Sequence, residues 1–319
     1  MKVKIVSSEL ERQGGVNTYV AALTRWLSSV GVEIAADGNY DVMLHVGPHA
    51  YPGMPPSNGC RSVIVIHDLI PEVLWKDECV RRERARALAA ADAVIAVSEW
   101  TKADVVREFG VEPGKVQVVH HGVSPTFFCN ASPPAHSPFR TGRYLLYVGK
   151  RNGYKRFRWL LRAVAPLMWL HPRLRLLCTG EPFCRREWAW IVALGLWGRV
   201  RVQRFSYEEM VGVYGNASVL VYPSVYEGFG LPILEAMAAG CPVVCSKRTC
   251  AVEVAGNAAT YFDYGDSGGL RKTLLGLLGN DEEARKRRAE HVEMGRERAK
   301  LFSWEKCARE TAAVLRGGE

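Results

Sequence analysis

Residues 217–247 read ASVLVYPSVYEGFGLPILEAMAAGCPVVCSK, and the fold follows from this stretch. The apolar run 218–222 has the length and composition of a buried parallel strand. Pro223 and Ser224 end it, and a loop carrying Glu227, Gly228, Phe229 and Gly230 follows. Pro232 suits the first turn of a helix, where the N–H it lacks would be unpaired in any case. The spacing predicts a helix over 233–239, stopped at Gly240, and a second strand over 242–245. A strand, a glycine loop, a helix and a strand in this order aim backbone N–H groups and a helix dipole at one point. Such a point is an anion site, and phosphate is its usual occupant.

Two carboxylates, Glu227 and Glu235, bracket that point. A carboxylate pressed against phosphate repels it, so the natural partners of both are sugar hydroxyls, whose hydrogen bonds an ionised carboxylate accepts well. Each has a plainer alternative: Glu227 as a solvated loop residue, Glu235 as a charge complementing the helix dipole. The string Glu227-GFGLPIL-Glu235, with YPSVY before it and AMAAGCPVV after it, resembles the Glu-x7-Glu signature of retaining glycosyltransferase family 4. That resemblance implies the GT-B fold: an α/β protein of two Rossmann-like domains facing across a cleft, with a C-terminal helix crossing back to the N-terminal domain. It also implies that Glu227 faces the donor sugar and that Glu235 holds the ribose of the nucleotide.

The 319 residues suffice for two domains with full cores, and 48% hydrophobic with 24% charged residues is ordinary for a globular protein. No apolar run approaches the roughly 20 residues of a membrane span. The start, MKVKIVSSELER, reads as a strand and then polar residues without a signal-peptide core, which predicts a cytoplasmic protein. Nine cysteines form no C-x-x-C pair; Cys241, Cys245 and Cys250 flank a predicted buried strand and read as buried free thiols before a metal site or a disulfide. A net charge of +9 and a pI near 9.1 predict anionic partners: nucleotide phosphates, acidic glycans, or peripheral contact with an anionic membrane surface. Nucleic acid is not expected. The basic runs RRERAR (81–86) and RKRR (285–288) read as solvated helix faces, and no recognition motif accompanies them.

Residues 2–6 predict the first strand. The turn SSELERQGGVN is not G-x-G-x-x-G, which argues against a dinucleotide-binding enzyme. Its pair Gly14-Gly15 resembles the family's loop near the donor phosphates, although such a pair alone is often just a turn. An amphipathic helix follows, with Val16, Tyr19, Val20, Leu23, Leu27 and Val30 on one side. The proline- and glycine-rich stretch 47–59 cannot hold a regular helix, so the N-terminal domain reads as abridged. The strand 61–66 delivers His67-Asp68-Leu69-Ile70-Pro71 at its carboxyl end, where open α/β sheets gather ligand groups. This string resembles a segment of the family's mannosyltransferase-like branch, which implies that His67 lies beside the donor sugar. A strand-end histidine bonded to backbone is the alternative. Ser98 reads as the cap of a helix over 99–109, with Thr101 in its first turn. His120 and His121 read as structural or acceptor-side residues, since neighbours on a strand point to opposite faces.

The strand 144–148 restarts the pattern and is followed by Gly149-Lys150-Arg151-Asn152-Gly153-Tyr154-Lys155 and a helix over 156–170. A glycine loop with cations before a helix suits a diphosphate. Lys155 matches the family's phosphate-binding lysine; Lys150 stands at its arginine position, with Arg151 beside it. The resemblance makes Gly180, Arg204 and Phe205 the base-pocket candidates, since they match family loops near the nucleotide, and Ser206 with Glu209 forms a capping box. Glu253 and Asn257 read as a turn. The expected domains are 1–124, a linker over 125–142, a nucleotide-sugar-binding domain over 143–301, and the crossing helix over 302–319. The expected activity is retaining transfer of a hexose, of mannose or glucose type, from a GDP- or UDP-linked sugar to a hydroxyl of a glycan, lipid or small-molecule acceptor. Gly15, Lys150, Arg151, Lys155, Gly228, Phe229 and Gly230 would hold the donor phosphates, with His67 and Glu227 at the reacting sugar. No Asp-x-Asp motif is present, so neither a metal nor another cofactor is expected. The alternatives are a GT-B nucleotide-sugar epimerase and a catalytically silent nucleotide-sugar-binding module.

Overall fold

The computed structural model describes residues 1–7, 15–35, 39–47, 60–139, 143–151 and 153–317. Gly14, the stretch 48–59, the last linker residues 140–142 and Asn152 lie outside the described residues. The chain divides into two compact units. The first comprises Met1–Gly122, Glu227–Leu231 and Phe302–Glu319; the second comprises Val123–Tyr226 and Pro232–Leu301.

In the first unit, β1 (Lys2–Ser7), β2 (Glu33–Ile34), β3 (Val42–Val46), β4 (Arg61–Ile66), β5 (Ala93–Ala96) and β6 (Val116–Val118) form one parallel sheet in the order β2-β1-β3-β4-β5-β6. Parallel strands are covered on both faces, and β4 and β5 are accordingly apolar along nearly their whole length. Ile64, Ile66, Val94 and Ala96 pack with Leu88 and Val105 from the helices Glu78–Ala90 and Glu99–Phe109. The helix Gly15–Leu27 buries Tyr19, Leu23 and Leu27, three residues four apart on one face. Against it packs the final helix Trp304–Arg316, so the C-terminal helix returns to the first unit. One expectation fails here. Within RRERAR, Arg84 is only 2% exposed, and its Nε lies 2.9 Å from Glu72, which is also buried. A charge run does not reveal that one member of it faces inward to meet a buried carboxylate.

In the second unit, β7 (Tyr144–Tyr147), β8 (Arg175–Thr179), β9 (Val200–Gln203), β10 (Val219–Tyr222), β11 (Val243–Ser246) and β12 (Thr260–Phe262) form a second parallel sheet. Its order, β9-β8-β7-β10-β11-β12, is that of a doubly wound fold, with the direction of winding reversing between β7 and β10. Leu146 and Val219 of those two strands are fully buried, and Leu220 pairs with Leu146 in register. The helix Phe157–Leu170 covers one face through eight buried residues, among them Phe157, Leu160, Leu161 and Val164. Glu253 lies inside the helix Cys250–Ala255 and not in a turn, because Cys250, Ala251, Val254 and Ala255 supply a buried helical stripe. Cys241, Cys245 and Cys250 are buried thiols outside any disulfide among the described residues, and burial pushes the first two up to about 12.

Candidate active site

In the first unit, His67 directly follows β4, and the loop Glu227–Leu231 lies against it. The fit requires glycine at position 228. A Cβ there would stand 1.5 Å from the His67 carbonyl oxygen and 2.7 Å from its carbon. The Gly228 carbonyl accepts hydrogen bonds from the Ser98 hydroxyl at 2.6 Å and the Thr101 hydroxyl at 3.2 Å. Ser98 also accepts from the Thr101 N–H at 3.1 Å, so the helix cap holds the glycine loop as well. Phe229 is buried, with its ring 4.9 Å from His121 and 6.0 Å from Phe302. Glu227 is half-buried, whereas Gly228 and Gly230 are buried. Gly15 opens its helix close by: a Cβ on it would be 3.7 Å from Leu231 Cδ1.

The His67 ring meets Tyr19 edge-on at 4.9 Å and lies 5.1 Å from His121. Burial, and then the Arg84 guanidinium, bring its pKa down to about 4, so the imidazole is neutral at physiological pH. Its Nε2 is buried and makes no hydrogen bond among the described residues. His121 is also buried and held neutral, its ring 5.0 Å from Tyr19 and 5.6 Å from Trp304.

In the second unit, the remaining site residues follow the carboxyl ends of neighbouring strands. Arg204 and Phe205 follow β9, Gly180 follows β8, and Lys150 and Arg151 follow β7. Lys155 closes the turn Gly153–Lys155, and its Nζ lies 5.6 Å from the ring of Tyr222, the last residue of β10. Gly149, at φ +120, lets the lysine lie across its backbone; a Cβ there would be 3.3 Å from Nζ. The Val225 N–H donates to the Tyr154 carbonyl at 3.0 Å and ties the loops after β7 and β10 together. The ammonium thus sits at the point where the winding of the sheet reverses, the usual ligand crevice of an open α/β sheet.

Arg151 and Lys150 differ sharply. The Arg151 guanidinium binds Glu187 at 2.6 Å and the carbonyls of Glu181 and Pro182 at 2.7 and 3.0 Å, and lies 4.9 Å from the Phe183 ring centre. Lys150 is exposed. The Gly180 N–H donates to the Gln203 carbonyl at 3.1 Å, Glu181 pairs with Arg204, and Phe205 lies 5.3 Å from the His136 ring. Glu235 is buried in the helix Leu231–Ala238, and the Tyr214 hydroxyl donates to its Oε2 at 2.8 Å. Burial pushes its carboxyl up to about 7, and the Tyr214 hydrogen bond opposes that shift. Sequence reading missed Tyr214, Glu187 and Tyr222 as partners of these groups. No local signal marks them, since each acts from another strand or helix.

Two parallel sheets, one with its strand order reversing beside a glycine-framed lysine, define a protein of the GT-B class. HepE of Anabaena, solved with UDP and glucose, superposes with a TM-score of 0.83 at 16% identity, covering 99% of this chain and all of that one. The family model described as Glycosyltransferase Family 4 matches residues 33–127, and that described as Glycosyl transferases group 1 matches 142–280. The chain is 29% identical to O-antigen chain mannosyltransferase B of Escherichia coli, over 86% of this chain and 74% of the relative. It is 30% identical to alpha-maltose-1-phosphate synthase of Mycolicibacterium smegmatis, over 81% and 73%. Across these and six further relatives it spans from 42% to 74% of the relative's length. The chain belongs to glycosyltransferase family 4.

Proposed function

We propose that the protein is a retaining, metal-independent glycosyltransferase. It moves a hexose of mannose or glucose type from a GDP- or UDP-linked donor to an acceptor hydroxyl. One observation carries this reading: the Lys155 ammonium stands over Gly149 at the β7/β10 reversal, and the Glu227-x7-Glu235 string begins shortly after β10 ends. The names of the relatives, a mannosyltransferase and a maltose-1-phosphate synthase, and the glucose bound to HepE favour a hexose.

The bond from the anomeric carbon to the leaving diphosphate breaks, and the acceptor oxygen bonds to that carbon on the same face. The acceptor proton passes to the leaving phosphate oxygen. Lys150, Lys155 and the backbone of Gly15, Gly228, Phe229 and Gly230 stabilise the charge that builds on the diphosphate. Arg151, engaged by Glu187, shapes the phosphate loop. His67, a neutral ring, hydrogen-bonds a sugar hydroxyl and carries no proton to or from the reacting atoms. Glu227 accepts from the transferred sugar and Glu235 from the ribose, while Gly180, Arg204 and Phe205 border the base.

A thermal-shift screen with UDP, GDP and ADP identifies the base, since a ligand of the folded state raises apparent stability. Calorimetry on two variants then tests the roles. Glu235→Ala should weaken nucleoside diphosphate binding, because the ribose contact is the same before and during reaction. Glu227→Ala should lower kcat strongly and leave that binding nearly unchanged, because the diphosphate lacks the sugar. Loss of neither binding nor rate in both variants would overturn the reading.

A further inference from the structure

Residues 156–201 hold nine arginines against two acids, Glu181 and Glu187, which is +7 of the chain's net +9, and five of its nine tryptophans. Both acids are already engaged, Glu187 by Arg151 and Glu181 by Arg204. Much of this material reaches the surface of the second unit. Trp169 and Leu170, which end the helix Phe157–Leu170, are 55% and 76% exposed. Val192, in the helix Arg185–Ala193, is 55% exposed, and Trp197, in the turn before β9, 67%. The segments that carry them adjoin at Leu194, two residues after Val192 and three before Trp197. The Trp169 indole N–H donates to the Leu194 carbonyl at 2.9 Å, and the Trp197 ring lies 5.2 Å from that of Trp188. Arg162 is exposed on the first of these helices, seven residues before Trp169, and Arg173 in the turn that follows it.

Topology separates this patch from the candidate donor site. The two helices end where the chain enters β8 and β9, at the amino edge of the sheet, whereas Lys150, Lys155, Gly180 and Arg204 follow the carboxyl edge. The patch therefore needs an occupant of its own.

We propose that this surface docks the protein on an anionic lipid bilayer. Indole rings favour the level of the lipid headgroups, and arginines lay their stems on apolar surface while the guanidinium meets phosphate. Each basic group near an anionic leaflet adds attraction. A second copy fits poorly, because it would bring two strongly positive surfaces together. A nucleic acid would give Leu170 and Val192 nothing to bury against. Among the described residues no helix is long and apolar enough to cross a membrane, so the contact is interfacial. The inference stands apart from the glycosyltransferase reading, since none of these side chains belongs to that site.

Co-sedimentation with vesicles tests it, comparing pure phosphatidylcholine with phosphatidylcholine containing about one third phosphatidylglycerol. The wild type should bind the anionic vesicles about tenfold or more tightly than the neutral ones, and less as salt rises. Leu170→Ser with Trp197→Ser, both at exposed positions, should lower vesicle binding about tenfold. Arg162→Ser with Arg173→Ser should remove most of the preference for anionic lipid. Melting temperature and nucleoside diphosphate binding should stay at wild-type values in both double variants, which shows that they are folded. Equal binding to both vesicles, no binding, or variants that bind like wild type would overturn the proposal. So would a patch-dependent affinity for single-stranded oligonucleotides with none for vesicles.

Discussion

Replacing Gly228 by alanine tests the structure where it is most demanding. The new methyl would stand 1.5 Å from the His67 carbonyl oxygen, against roughly 3.4 Å for an ordinary contact, so the loop must retreat by about 2 Å. That retreat breaks the hydrogen bonds from Ser98 and Thr101, at 2.6 and 3.2 Å, each contributing about 0.5–1.5 kcal/mol net. It also pulls Phe229 from its contact with His121 and exposes part of a buried ring, at about 1–2 kcal/mol. The total is about 2–5 kcal/mol. For a unit of this size each kcal/mol lowers the melting temperature by about 2–4 °C, so a fall of about 5–15 °C is expected. Displacing the loop that carries Glu227 should lower transfer about a hundredfold or more, since errors near 1 Å already have that effect. Calorimetric melting and a transfer assay read both quantities. A Gly228→Ala protein with wild-type melting and wild-type rate would show that the loop does not lie against His67, and the site geometry would fall. Ser98→Ala, which removes one of the two hydroxyl donors, should give a smaller loss of the same kind.

Lys155→Ala should weaken nucleoside diphosphate binding about ten- to a hundredfold, the effect of one charge-assisted hydrogen bond, while binding of the bare nucleoside changes little; equal loss of both by titration calorimetry would place the ammonium elsewhere. Glu235 predicts a pH dependence. Its folded pKa of about 7 exceeds the ordinary 4.5, so the folded state keeps a proton that the unfolded state releases. The resulting stability is complete below about 4.5 and is lost as pH rises through about 7, so melting should fall over that window and flatten in Glu235→Gln. Ribose hydroxyls donate to the ionised carboxylate, so diphosphate affinity should rise through the same window; a pH-independent wild-type affinity would contradict the ribose assignment.

The parts of this protein that could be read in advance are those governed by near neighbours. The helix Glu99–Phe109 was legible from Ser98 and its apolar spacing, and the Ser206–Glu209 capping box closes with bonds of 2.8 and 3.2 Å. The strand β4 was legible because a parallel strand buried on both faces is largely apolar, as the run 63–66 is. Caps, turns and periodicity act within a few residues, so they are written locally in the chain, and so is the Glu227-x7-Glu235 string.

Other properties were settled only by chain segments brought from far away. Arg84 looked like one more surface charge until Glu72 met it in the interior. Lys150 and Arg151 were equivalent as letters, and Glu187, thirty-six positions on, separated them by binding Arg151 alone. Gly228 belongs with His67, Ser98 and Thr101 although more than a hundred residues intervene. Glu235 acquires its raised pKa from burial and its orientation from Tyr214. The sequence by itself determined the elements, their class and the family motif, because those depend on neighbouring side chains and backbone. Only the tertiary structure decided which charges are buried, paired or left to meet a ligand, because desolvation and Coulomb energy depend on distance in space and not along the chain.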